Sequence, residues 1–268
     1  MKYRMIFSDF DNTLLRSDYT VAPETIRAIA DYRSRGGKFV LVTGRSIESA
    51  REQAKMLGLS GEVVASMGAV IADIETGNAI LEEGMPCELA VKLIRDAEAY
   101  GQKALCYVKR KLYVQARDEI TQKYEEIVRY KATLTGDSLA DYVEKMGQDV
   151  EKVLIFCAPE DARGIVAQKK ESFGDVVHVV MSAPFMVEMV SSKHTKGRAI
   201  EYMARRYGVD IAQTLAVGDS TNDLEMILTA GHGVAVANAM PELKQVADEI
   251  TVSCDENAVG VLIEKYGV

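Results

Sequence analysis

Residues 5–15 read MIFSDFDNTLL, and they set two acids at the end of an apolar run. Arg4 to Phe7 has the look of a short buried strand. Asp9 and Asp11 follow two residues apart, then Asn12 and Thr13, before the apolar pair Leu14-Leu15 resumes. In an open parallel α/β sheet, ligands bind beyond the carboxyl ends of the strands. A strand that ends on paired carboxylates therefore asks whether the rest of the chain builds such a sheet.

The flanking sequence has the required rhythm. Pro23-Glu24 opens a helix with Ile26, Ile29 and Ala30 on one face, and Gly36-Gly37 closes it. Lys38 to Thr43 reads as a strand buried on both faces, Ile47 to Leu57 as a helix stopped by Gly58, and Glu62 to Ala65 as a third strand. The rhythm returns late in the chain. A helix over Thr195 to Tyr207 leads to a strand over Thr214 to Val217. A helix over Asn222 to Thr229, a strand over Gly233 to Ala237 and a helix after Pro241 follow. Alternation of this kind predicts a doubly wound α/β sheet with right-handed crossovers.

Between the two ends the pattern changes. Ala69 to Ile74 and Asn78 to Leu81 read as a hairpin, as do Ala104 to Val108 and Lys111 to Val114 around Lys109-Arg110. Helices over Glu88 to Tyr100 and Ala162 to Phe173 alternate with strands over Lys152 to Cys157 and Val176 to Met181. The expectation is an α+β block, residues 83–190, inserted into a core made of residues 1–82 and 191–268.

Composition excludes several classes. The 268 residues are 48% hydrophobic and 27% charged with a net charge of -8, ordinary for a soluble globular protein with a sizeable core and unfavourable for a nucleic-acid partner. An anionic substrate would need a local positive site or a metal. Four cysteines, none in a C-x-x-C pair, and three histidines far from ligand spacing argue for reduced buried thiols rather than zinc. With no apolar run near membrane-spanning length and no signal-peptide pattern, a cytoplasmic protein without a membrane partner is expected. Oligomeric state is not legible.

Four stretches fall at predicted strand ends or helix starts: Asp9 to Thr13, Thr43-Gly44-Arg45, Lys196-Gly197 and Gly218 to Asp223. If the strands are neighbours, Asp9, Asp11 and Asp219 crowd negative charge into one crevice, which is costly without a cation. Oxygen-only ligands suit Mg²⁺. Asp9 can then act as nucleophile and Asp11 as acid and later base. Thr43 and the N–H of Gly44 can hold phosphoryl oxygens, and Lys196 can offset the charge.

Taken in order, DxDxT, a strand ending in T-G-R, Lys-Gly at a helix start, and GDxxND resemble the haloacid dehalogenase superfamily of aspartate-dependent phosphatases. The resemblance covers essentially the whole chain. The block between Thr43 and Lys196 stands where the large C2-type cap of the Cof-type (class IIB) subfamily lies. The resemblance implies a Rossmann-like core and a Mg²⁺-dependent hydrolysis of a small phosphate monoester, with sugar phosphates the leading substrates. It implies an aspartyl-phosphate on Asp9 and proton transfer by Asp11. Metal ligation would come from Asp9, the Asp11 carbonyl and Asp219, with Asn222 and Asp223 orienting metal-bound water and Lys196. Thr43, Gly44 and Lys196 would hold the phosphoryl group.

Two departures stand out. Asn12 replaces the common glycine, and Asn tolerates a left-handed backbone. Ser66-Met67-Gly68-Ala69 replaces Asn-Gly-Ala, which removes an amide from the substrate side. A phosphomutase and a non-catalytic sugar-phosphate sensor are the alternatives; intact Asp9 and Asp11 weigh against the sensor. Arg45 is read either as a substrate contact or as the partner of an acid. His178 reads as structural, His194 as a solvent-facing loop residue, and Lys169-Lys170 as a solvated helix face. Met181, Met186 and Met189 read as core, with Phe185 and Met186 as candidates for lining a cleft.

Overall fold

The protein was analysed as a computed structural model that describes residues 2–128 and 130–267. The chain begins with β1 (Met5–Ser8), α1 (Pro23–Ser34), β2 (Lys38–Leu41), α2 (Ile47–Met56) and β3 (Glu62–Ala65). It turns back through β4 (Val70–Asp73) and β5 (Ala79–Glu82). The middle comprises α3 (Cys87–Ala99), β6 (Lys103–Val108), β7 (Lys111–Val114), α4 (Glu119–Val128), β8 (Thr133–Leu134) and α5 (Leu139–Met146). It continues through β9 (Lys152–Phe156), α6 (Ala162–Phe173), β10 (Val177–Ala183) and β11 (Met186–Ser191). The last part runs α7 (Lys196–Tyr207), β12 (Thr214–Gly218), α8 (Leu224–Thr229), β13 (His232–Ala235), α9 (Pro241–Val246), β14 (Glu249–Ile250) and α10 (Ala258–Tyr266).

The fold is α/β. Five strands form a parallel sheet in the order β14-β13-β12-β1-β2, and a Val42–Val64 bridge carries the parallel pairing on to β3. All four residues of β1 are buried, as a central strand covered on both faces must be. Phe7 pairs with Ala216 on one side and Val40 on the other, so the carboxyl ends of β12, β1 and β2 lie side by side. Helices start where local chemistry permits. Pro23 opens α1, and the Thr195 hydroxyl caps α7 by accepting from Arg198 N–H at 3.3 Å. A buried apolar cluster drawn from residues 3–74 and 199–263 holds this sheet and its helices together. Each fully buried Phe, Ile or Val in it contributes about 1.5–3 kcal/mol.

A six-stranded sheet, β10-β11-β9-β6-β7-β8, is built entirely from residues 103–191. One of its faces packs on α3, α5 and α6; the other carries Leu105, Tyr107, Leu154 and Phe156 against Tyr124 and Val128 of α4. Both expected hairpins form, β4–β5 and β6–β7, the second turning through left-handed Lys109 and Arg110. No helix among the described residues is long and apolar enough to cross a membrane.

Some expectations need correction. Lys169 is not on a solvated face: its side chain is fully buried, ion-paired with Asp96 and set over the Tyr100 ring. His194 is half-buried, with Nε2 3.0 Å from the Glu83 carboxylate, rather than turned to solvent. The elements α4, β8, α5, β11, β14 and α10 have no counterpart among the elements the sequence predicts.

Candidate functional site

Asp9 follows β1 directly, with its N–H bonded to Val217 O of the neighbouring β12. Asp219 follows β12, and Thr43 and Gly44 follow β2. These residues therefore meet at one edge of the sheet because their strands are adjacent, which is the crevice expected beyond carboxyl ends. The chain leaves Asp9 through a non-helical turn in which Asn12 takes φ +57, the left-handed conformation that asparagine accepts.

Lys196, in the first turn of α7, reaches across with its whole side chain buried. Its Nζ donates to Asp9 Oδ1 at 2.5 Å and to Asp223 Oδ1 at 2.6 Å. Asp223 Oδ2 accepts from the backbone N–H groups of Asp219 and Ser220, at 3.0 and 3.2 Å, and so shapes the turn that presents Asp219. Gly218 makes room for this. A Cβ there would stand 2.5 Å from the Asp223 carboxyl carbon.

The electrostatics are strained. Burial, followed by the charges of Asp223 and Asp11, overrides the pull of Lys196 and pushes Asp9 up to about 7. Burial and the charges of Asp9 and Asp223 push Asp219 up to about 9. For Lys196, burial favours the neutral amine but is outweighed by Asp223 and Asp9, so its pKa rises. Asp9, Asp219 and Asp223 each present a carboxylate oxygen, and all three oxygens lie within 4.8 Å of one another. One buried lysine does not neutralise three acids. The unpaid negative charge and the oxygen-only donor set fit a hard divalent cation.

Asp11 lies apart from that cluster. Its carboxylate receives a two-point fork from Arg45, Nε to Oδ2 at 2.9 Å and Nη2 to Oδ1 at 2.7 Å, while the guanidinium lies over the Phe10 ring. Of the two readings of Arg45, the structure shows the acid partner. Thr43 is buried and its hydroxyl accepts from Arg45 N–H at 3.1 Å, which leaves the hydroxyl proton to donate elsewhere. Asn222 accepts from Ser220 Oγ at 2.7 Å and sets its amide against Met67 Sδ. Thr13 reaches Asp219 Oδ1 at 3.4 Å.

A cleft of about 190 Å³ opens over Asp9, Asp11 and Asp219, and its opposite wall comes from the six-stranded sheet and α4: Tyr124, Lys152, Phe185 and Glu188. Phe185 and Met186 line it, as their positions suggested. Lys152, Glu188 and Tyr124 were missed by sequence reasoning. A charged residue set among apolar strand residues, as in MVEMV, was the available signal.

With the geometry established, relatives are informative. The family model described as haloacid dehalogenase-like hydrolase matches residues 6–263. A 5-amino-6-(5-phospho-D-ribitylamino)uracil phosphatase of Bacillus subtilis is 28% identical, over 98% of this chain and 97% of its own. An HMP-PP phosphatase of Serratia proteamaculans is 26% identical, over 98% and 95%. A solved structure from Thermotoga maritima, 28% identical, superposes with a TM-score of 0.80 over 98% of this chain and 97% of that one. A match that runs from β1 to α10 and includes every residue of the acidic cluster leaves one conclusion: the chain belongs to the haloacid dehalogenase-like hydrolase family.

Proposed function

We propose that the protein is a Mg²⁺-dependent phosphatase of small phosphate monoesters, working through an aspartyl-phosphate on Asp9. The observation that carries this reading is the placement of Asp9. Lys196 engages its Oδ1, and Oδ2 has no hydrogen-bond partner among the described residues, at the floor of the cleft. A nucleophile needs one oxygen fixed and the other free.

In this reading Asp9 Oδ2 attacks phosphorus, and the ester oxygen departs with a proton from Asp11. Asp11 then takes a proton from the water that attacks the phosphoryl group, and Asp9 is released as phosphate leaves. The Thr43 hydroxyl and the Gly44 N–H donate to phosphoryl oxygens. Arg45 holds Asp11 beside the leaving-group side of the cleft. A divalent cation, held by Asp9, Asp219 and the Asp11 carbonyl, would supply charge neutralisation between carboxylates and phosphate. Asp223 spends both its oxygens on Lys196 and the Asp219 turn, so its role is to position the two, and Asn222 stands beside it. Residues 83–190 act as a cap that covers the cleft and excludes water during transfer.

Two relatives of similar identity are named for different phosphate compounds, so the shared acids do not name the leaving group. A sugar or sugar-alcohol phosphate is the class proposed. Phosphate release from a panel of esters, with Mg²⁺ and with chelator, tests the reading. Metal-dependent release is expected. Binding of sugar phosphates without any release would point to a sensor instead.

A further inference from the structure

The face of the six-stranded sheet that meets α4 is largely apolar and aromatic, and two of its charged residues, Lys152 and Glu188, are nearly fully buried. Lys152 opens β9 two residues before Leu154, and Glu188 stands opposite Leu154 on β11, so strand alternation puts both on this face. Their side chains are only 1% and 3% exposed, yet both line the cleft that holds Asp9, Asp11 and Asp219. Lys152 Nζ donates to Gly44 O at 2.5 Å and to Glu188 Oε1 at 3.3 Å, and it sits over the Tyr107 ring. Glu188 Oε2 is buried and has no hydrogen-bond partner among the described residues. It packs on the bare Cα of Gly44, where a Cβ would come within 3.2 Å.

A buried carboxylate oxygen without a donor is a cost that a fold keeps only where something else completes it. The third N–H of Lys152 is likewise uncommitted among the described residues. A free acceptor beside a free donor suits a hydroxyl group, which gives one hydrogen bond and takes another. We infer that Glu188, held by Lys152, is a specificity-determining residue that accepts a hydrogen bond from a hydroxyl of the leaving group and thereby selects polyhydroxylated phosphate esters. This rests on the phosphatase reading and deepens it. The pair is far from the reacting phosphorus in role: it discriminates leaving groups and takes no part in proton transfer.

The test compares kcat/KM for ribose 5-phosphate, glucose 6-phosphate and glycerol phosphate with that for p-nitrophenyl phosphate, which carries no hydroxyl, in the wild type and in Glu188→Gln with Mg²⁺. The best polyol ester divided by the aryl ester should fall by about tenfold or more, because a charged acceptor is replaced by a neutral amide. Both values come from one preparation, so any unfolded fraction cancels. Glu188→Asp, which keeps the charge beside Lys152 but draws the oxygen back, should lower the same ratio. A ratio unchanged within about twofold in both variants would overturn the assignment and leave Glu188 structural. A wild type that hydrolyses no ester would sink the phosphatase reading itself, a result distinguishable from the former.

Discussion

Lys196 Nζ sits 2.5 Å from Asp9 Oδ1 with its own side chain wholly buried, so Asp9, the proposed nucleophile, and its counter-charge form one unit anchored on two elements far apart in sequence. Removing one member leaves the others charged without compensation. Lys196→Met should therefore lower stability by about 3–5 kcal/mol in the apoprotein and abolish turnover. Chemical denaturation checks the first, phosphate release the second. Lys196→Arg should not rescue activity, because a planar fork does not fit a pocket shaped for a point charge.

If the acids of the cleft hold the proposed cation, stability should depend on both pH and metal. Asp9 and Asp219 have folded values of about 7 and about 9, above the 3.8 of an unperturbed aspartate. A raised folded value means that the folded state holds these protons more tightly. Their contribution to stability is thus fully present below 3.8 and is lost as pH rises through the folded values. A bound cation replaces the protons, so the thermal shift produced by Mg²⁺ should be larger at pH 8 than at pH 5. Differential scanning fluorimetry at the two values decides. Equal shifts would contradict the cation site.

Arg45 and Asp11 make a different kind of pair at the cleft, the Arg45 side chain mostly buried and the Asp11 carboxylate about half exposed. Arg45→Met should reduce kcat by about tenfold, because Asp11 loses its orientation, while the melting temperature changes little. A kcat that stays at the wild-type level would show that Asp11 needs no such support.

In the six-stranded block, Lys169 is buried against Asp96. Asp96→Ala should cost about 2–3 kcal/mol by stranding the ammonium, whereas Lys169→Met should be close to neutral. Urea denaturation of both variants checks the asymmetry. A solvated lysine, as the helix pattern of residues 162–173 suggested, would make both changes silent.

That last contrast shows where the sequence was readable. The parallel sheet and its site were legible because apolar runs ended on Asp9, Thr43 and Asp219, and strand adjacency then brought them together. Asn12 declared its left-handed turn in the same way. Lys169 and Glu188 were illegible for the opposite reason. Their burial depends on partners, Asp96 and Lys152, that sequence distance hides. The same cause concealed β11, whose apolar run is broken by Glu188. The helix α4 was hidden because the face it buries, Thr121, Tyr124, Glu125 and Val128, is half polar, while its apolar Ile120 and Ile127 stay exposed. The arm of Arg45 was undecidable from sequence, since a guanidinium serves an acid or a phosphate equally well.

The central claim is that Asp9 carries the phosphoryl group. The direct measurement uses Asp11→Asn, in which a good leaving group departs unaided but the water attack lacks its base. The variant is mixed with Mg²⁺ and p-nitrophenyl phosphate, quenched in acid, digested, and analysed by mass spectrometry. A hydroxylamine-labile phosphoryl group on the peptide that contains Asp9, absent in the Asp9→Asn, Asp11→Asn double variant, is the predicted result. An unmodified Asp9 peptide, together with undiminished turnover in Asp9→Asn, would contradict it.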